Sequence, residues 1–461
     1  KAKGEALVVF VNSPPGGVRE VTLVRVDMKT MKAIGPLMAE SNATPVDVSP
    51  SGNLLACMPD WTTRNGRDPE MIEIWQVNGK ELKTVRRWNM GEHSEWDKRF
   101  EQLFFIGEGK LLTTSEWGGN VTLWDINKAQ AIWQMKVTGH HTPALSANRK
   151  QFAALIDGGV GVFDAATGDT LARLTAEGAH GGVLAFSPDG ERLACVTPRV
   201  LRVWELATGE MVHEVWFPKQ MSAKSLDWIN DGMVMVDRLF LVDMAKRIVL
   251  WQYELPTLRG EAIAQMAGDR YWVIGGGGHN APYQLACLSV PDAAAKAKGE
   301  TLTAESVLAV RPGAAVRVRI NLPSASPEEL QKVTKVLVDE IKANGMELAA
   351  EASIVIECSI SDGGAETVTY SRFGFGQGGE QATVSKQLSV LSIKENGKEL
   401  WVATGAYGAP FSVHQKEGQS IQDAVNAQKG SPVQFFLHAK LPKHVARHEA
   451  DGTYGKSRLQ P

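Results

Sequence analysis

The 461-residue chain reads as a repetitive all-β unit over residues 1–311, followed by a smaller α+β unit over residues 312–461. Three observations point there. A short alternating strand, ending in a bulky residue and then an acidic or polar one, recurs seven times. A tight turn flanked by apolar strands precedes most copies. Past Pro312-Gly313 the pattern changes to strands interleaved with amphipathic helix. Self-similarity at such a period marks an architecture in which each unit buries its face only against its neighbours.

The repeated strand ends in the pairs Val26-Asp27, Trp75-Gln76, Trp124-Asp125, Phe163-Asp164, Trp204-Glu205, Val242-Asp243 and Leu288-Ser289, spaced 38–49 residues apart. The upstream turns are Ser49–Gly52, Gly107–Gly109, Ser146–Arg149, Ser187–Gly190, Asn230–Gly232 and Gly268-Asp269. Proline presets φ at the second turn position, and Gly, Asn or Asp accepts the positive φ that closes it. A run such as VLAFSPDGERLACV (183–196) is therefore a β-hairpin.

Four short strands per repeat, seven times over, resembles the WD40 family of β-propellers. Trp124-Asp125, Gly139-His140, Asp157-Gly158 and the SPDG turn at 187–190 carry the resemblance, which spans residues 1–311. It implies a seven-bladed β-propeller. The His–Ser/Thr–Asp–Trp tetrad of that family is incomplete in every repeat. Repeat four has His140 and Asp157 but carries Phe163 where Trp belongs, so packing is expected to hold the blades. The first repeat starts at 6–11 without an innermost strand, and Glu300–Val310 is expected to close the ring against it.

Residues 291–299 (PDAAAKAKG) read as a linker. After a strand at 315–322, Ser326 offers an N-cap, Pro327 suits N1 and Glu329 completes a capping box. Leu330, Val333, Leu337 and Ile341 then share one helix face, and Gly345 suits the left-handed stop. Strands are predicted at 352–360, 365–373, 382–393 and 397–405, the last two joined by Asn396-Gly397. A second helix is predicted at Ser420–Gln428. This order predicts an antiparallel sheet with one or two helices. It resembles, loosely, small sheet-plus-helix modules of bacterial envelope lipoproteins.

Composition excludes several classes. Hydrophobic residues are 43% and charged residues 22% of the chain, as in ordinary globular proteins. No apolar run approaches the roughly 20 residues of a membrane-spanning helix. The net charge of −3 gives no footprint for nucleic acid. Cys57, Cys195, Cys287 and Cys358 sit singly in apolar strands, so they read as buried hydrophobes rather than as a metal or redox motif. Gly275–Gly278 and the glycines at 374–379 lack the strand–loop–helix context of a phosphate cradle. His444 and His448, four apart, are a weak metal candidate if that segment is helical. No nucleophile-elbow, HExxH or paired-carboxylate motif occurs, so no catalytic residue and no cofactor is expected.

An aromatic constellation offers a site instead. In a WD40-like blade, the loop between the second and third strands and the loop between blades emerge on one face. The segments 59–70 and 88–101 and the turn at 115–119 then crowd Trp61, Trp96 and Trp117 among Arg64, Arg67 and Arg99. Trp and Arg in a mixed polar setting suit a protein-binding hot spot. The sequence is thus expected to encode a non-enzymatic interaction scaffold that binds one or more proteins; the chain looks most like bacterial WD40-repeat proteins with an extra C-terminal domain, which implies either a cytoplasmic or a periplasmic place. The alternatives are a propeller enzyme with a central-channel site, quinone-dependent or hydrolytic, and an envelope-assembly module. The turns DAATGDTL (164–171) and ELATGEMV (205–212) resemble those of quinone-dependent propellers.

Overall fold

A computed structural model describes residues 5–12, 20–27, 29–30, 32–39, 43–58, 71–89, 100–115, 119–138, 143–176, 181–254, 263–267, 270–276, 283–323, 325–370, 379–449 and 452–458. The protein is mostly β, and five blades adopt a propeller arrangement. Five repeats form four-stranded antiparallel meanders. Repeat two contains Thr44–Val48, Leu54–Met58, Met71–Asn78 and Glu81–Asn89. Repeat three contains Phe100–Phe105, Lys110–Ser115, Asn120–Asp125 and Gln130–Lys136. Repeat four contains Ala144–Leu145, Gln151–Ile156, Gly159–Asp164 and Thr170–Thr175. Repeat five contains Val183–Phe186, Arg192–Val196, Val200–Glu205 and Met211–Trp216. Repeat six contains Leu226–Asn230, Met233–Val236, Phe240–Asp243 and Ile248–Glu254. Among the described residues, repeat one (Glu5–Asn12, Glu20–Asp27, Lys32–Ala39) and repeat seven (Ile263–Ala267, Arg270–Gly276, Tyr283–Leu288) have three strands each. The first strands of repeats two and three, and of four through seven in turn, approach one another, which puts last strands at the rim.

Two local devices build each repeat. At the first hairpin the Ser49 N–H donates to Leu54 O and Gly52 N–H to Ser49 O; the same pair of bonds recurs at 146–151 and 187–192. The fourth turn residue is left-handed, at φ +77° for Gly52 and +80° for Gly190. Arg149 adopts φ +59° at the same position without being glycine. At the last hairpin the acid of the repeated pair caps the turn. Asp27 Oδ1 accepts from Lys29 and Thr30 N–H, Asp125 Oδ1 from Asn127 and Lys128, and Asp164 Oδ1 from Ala166 and Thr167. Between sheets the apolar faces interlock, as where Ala153, Val160 and Leu174 meet Leu184, Leu193 and Trp204. Of the incomplete tetrads, repeat three retains one bond, Trp124 Nε1 to Thr113 Oγ1 at 3.0 Å. In repeat four Phe163 instead stacks on Phe152 at 5.0 Å.

Beyond the repeats, several expectations need correcting. Residues 291–299 are not a linker. Asp292 caps a helix, Ala293–Glu300, because Ala and Lys are good helix formers and the Asp carboxylate accepts the Ala295 N–H. Among the described residues, Glu300–Val310 does not pair with repeat one. It ends that helix, forms the short helix Ala304–Val307 and supplies a strand, Leu308–Val310, that pairs with Val445–Ala446. The C-terminal sheet is mixed rather than antiparallel: Ala315–Asn321 runs parallel to both Glu347–Leu348 and Ile354–Tyr370. The helix Pro327–Ala343 is the crossover that a parallel pair requires. The two strands expected at 352–373 are one long strand, Ile354–Tyr370, interrupted only by a bulge at Gly363-Gly364.

Other features match expectation. Ser326 and Glu329 form the reciprocal capping box, and Val333, Leu337 and Ile341 are buried. Asn396-Gly397, both left-handed, turn the hairpin between Glu380–Glu395 and Lys398–Tyr407. Ser420 caps the helix Ile421–Gln428. Trp401 of this sheet meets Trp216 of repeat five edge-on at 6.0 Å, and Arg199 donates to Thr404 O at 2.8 Å. No helix among the described residues is long and apolar enough to cross a membrane.

Candidate functional site

Trp61, Arg64, Arg67, Trp96, Arg99 and Trp117 lie outside the described residues, as does His140. The metal candidate does not assemble. His444 and His448 flank the strand Val445–Ala446 instead of sharing a helix face, so an i, i+4 pair is drawn apart. His448 engages the Leu400 and Glu449 carbonyl oxygens. Burial, with Arg247 and Lys443 nearby, pushes the His444 pKa down to about 4. No group of three metal-ligating side chains occurs among the described residues. Cys57, Cys195 and Cys358 are buried free thiols, and burial pushes the Cys195 pKa up to about 12, which makes it unreactive.

A feature that sequence reasoning missed runs along the rim. In all six repeats with a last strand, that strand carries one extra residue opposite the repeated pair, a β-bulge. The extra residue is always apolar: Ile34, Val85, Ile132, Leu171, Val212 and Leu250. The first five are 37–51% exposed; Leu250 is 0% exposed. A signal existed. In five of the six repeats the bulge residue falls seven positions after the acid of the repeated pair, as from Asp125 to Ile132. In four of these five an aspartate caps the turn, which fixes its length and so where the bulge falls.

Repeat six shows what the rim can hold. Its last strand, Ile248–Glu254, takes a fifth strand, Lys456–Arg458, in parallel, with Gln252 opposite Lys456 and Glu254 opposite Arg458. Gln252 N–H donates to Gly455 O, Tyr454 N–H to Leu250 O, and Trp251 Nε1 to Ser457 Oγ. Ser457 Oγ in turn donates to Asp292, the cap of the first C-terminal helix. Gly455 is required by geometry, because a Cβ there would overlap the Trp251 ring. Leu250 is buried where that helix packs on it at Gly299, beside the docked tail. Covering a side chain of this size that would otherwise be half exposed, as in the other five repeats, contributes about 1 kcal/mol. The last strands of repeats one and two pair with each other at Met38–Glu81, whereas those of repeats three, four and five are edge strands of their sheets among the described residues.

A second surface lies in the C-terminal part. Phe411 is fully exposed beside a groove of about 950 Å³ lined by Tyr370, Glu380, Val413, Lys416 and Ile421. Two polar clusters are internal. Arg149 ties repeats two, three and four: its guanidinium grips Asp47 at 2.6 and 3.0 Å and donates to Phe105 O at 2.6 Å. Between repeats six and seven, burial raises the Asp227 pKa to about 6 against the opposing pull of Arg238 and the Tyr271 hydroxyl.

No protein-family model and no curated protein matches the chain. Among solved structures, it is similar to a chain in the crystal structure of a mitotic checkpoint complex. The identity is 14% and the TM-score 0.37, over 62% of this chain and 75% of that one.

Proposed function

We propose that the chain is a non-enzymatic protein-interaction scaffold: a seven-bladed, WD40-like propeller over residues 1–311, its three-stranded sheets serving as blades one and seven, joined to an α+β domain over 312–461. One observation carries the reading. The rim presents an apolar bulge residue in repeat after repeat, exposed in five and, in the sixth, covered where a helix packs on it and a strand is docked alongside. Apolar groups repeated beside unpaired strand edges are a docking surface for extended segments, and exposed edges are otherwise an aggregation hazard that proteins suppress. The C-terminal domain serves as a clamp that fills one edge and leaves others open. The loop face bearing Trp61, Trp96 and Trp117, with Arg64, Arg67 and Arg99, is a second contact surface in this proposal.

The test is co-purification of partners with the wild type, with an Ile132→Asp/Leu171→Asp rim variant and with a Trp61→Ala/Trp96→Ala/Trp117→Ala variant, each checked for fold by circular dichroism. A partner lost from the rim variant supports the rim as the docking surface. A partner lost only from the triple-Trp variant moves the contact to the loop face. A protein that carries turnover and no variant-sensitive partner overturns the scaffold reading.

A further inference from the structure

The last strands of repeats three, four and five, unpaired by a further strand among the described residues, are not equivalent; that of repeat five already meets Trp401 through Trp216 and Arg247 at Glu214 O. Repeat three alone repeats the sequence of the filled edge. Its last strand reads Ile132-Trp133-Gln134-Met135, and that of repeat six reads Leu250-Trp251-Gln252-Tyr253. The registers agree as well. Ile132 and Leu250 are the bulge residues, and Trp133 and Trp251 are each paired with a leucine of the third strand, Leu123 and Leu241. Repeats four and five have Ala172 and His213 in place of the Trp. Ile132 is 46% exposed, where Leu250 is covered.

Two differences define what would fit. In repeat six the tail supplies Ser457 to the Trp251 indole N–H. In repeat three the Trp133 indole N–H already donates to Ala166 O at 3.2 Å, and its ring packs against Gly168 and Phe152, so the occupant needs neither a hydroxyl nor a small residue there. The charge is also inverted. Glu254 ends the filled edge, opposite Arg458 and 4.0 Å from Lys456. Lys136 occupies the matching place in repeat three and is exposed.

From this internal precedent we propose that the outer edge of repeat three, Gln130–Lys136, binds an extended segment of a partner protein as an added parallel strand. Acidic residues of that segment meet Lys136 where the chain's own tail has Lys456 and Arg458. The backbone ladder and Ile132 would provide affinity, and Lys136 the selectivity. This rests on the scaffold reading and specifies its partner.

The experiment uses the full chain and two labelled synthetic peptides of residues 449–461, one native and one carrying Lys456→Glu and Arg458→Glu, measured by fluorescence anisotropy. The acidic peptide is expected to bind at least fivefold more tightly than the native one. Ile132→Asp should weaken it at least tenfold, Leu171→Asp in repeat four should leave it unchanged, and Lys136→Glu should reverse the preference between peptides. Equal binding of both peptides, indifference to Ile132→Asp, or binding that strips amide-exchange protection from Gln252 would each overturn the assignment. The last would mean exchange with the chain's own tail at repeat six. If neither peptide binds while rim substitutions elsewhere still release a native partner, this inference fails and the scaffold reading stands.

Discussion

Replacing Gly455 by Ala tests the tail clamp with a single methyl group. A Cβ at this position would overlap ring atoms of Trp251, which is itself buried. Forcing extra volume into a packed site costs roughly 1–3 kcal/mol. The docked tail gains roughly 1 kcal/mol from each of three hydrogen bonds, at Leu250 O, Gln252 N and Trp251 Nε1. The overlap is comparable to these gains, which the entropy of ordering the tail already opposes, so Gly455→Ala should release the segment while leaving the repeats folded. Hydrogen exchange read by mass spectrometry would show lost protection at Gln252 and across 452–458, with a red shift in the emission of the newly exposed Trp251. Unchanged protection at Gln252, with unchanged thermal stability, would refute this account of how the clamp is held.

Three further outcomes follow from the internal polar groups. Asp227 has its folded pKa raised from 3.8 to about 6, so its ionised form is penalised by folding above pH 6 and the penalty vanishes below about pH 4. Asp227→Asn should thus stabilise the protein by roughly 2–3 kcal/mol at pH 7 and by nothing at pH 3.5, as read by denaturant titration at both values. His444 has its folded pKa lowered from 6.5 to about 4, so the stability it allows is complete above pH 6.5 and is lost as pH falls toward 4. His444→Gln should flatten the decline in melting temperature over that window. Arg149→Met should cost about 3 kcal/mol, because Asp47 is left partly buried and unpaired. Arg149→Gly should cost about 1 kcal/mol less than Arg149→Met, because it relieves the left-handed φ. Equal losses in the two variants would show that the backbone there is not strained.

Much of this architecture was legible because its determinants are local. Alternation, the Ser-x-x-Gly turn and the capping acid each act within a few residues, so the repeats stand out, as do the boxed helix at 327–343 and the Asn396-Gly397 hairpin. What stayed hidden depends on distant chain segments. Nothing near Gln252 announces that Lys456 will pair with it. Asp362-Gly363-Gly364 reads as a turn, yet the 16-residue strand Glu380–Glu395 alongside holds it as a bulge. The Ala- and Lys-rich stretch after Pro291 reads as a linker on composition, although Asp292 gives it a cap and Leu250 a surface to pack on. The rim residues were visible as letters but not as a surface. A bulge turns an apolar residue outward where strict alternation would have hidden it.

The central claim is that the rim docks extended segments through its bulge residues. Cross-linking of the native protein in its own cells, with cross-links mapped by mass spectrometry, tests it most directly. The account predicts partner cross-links concentrated on the outer strands of repeats three to five and lost on Ile132→Asp. Cross-links confined elsewhere and indifferent to that substitution would contradict it.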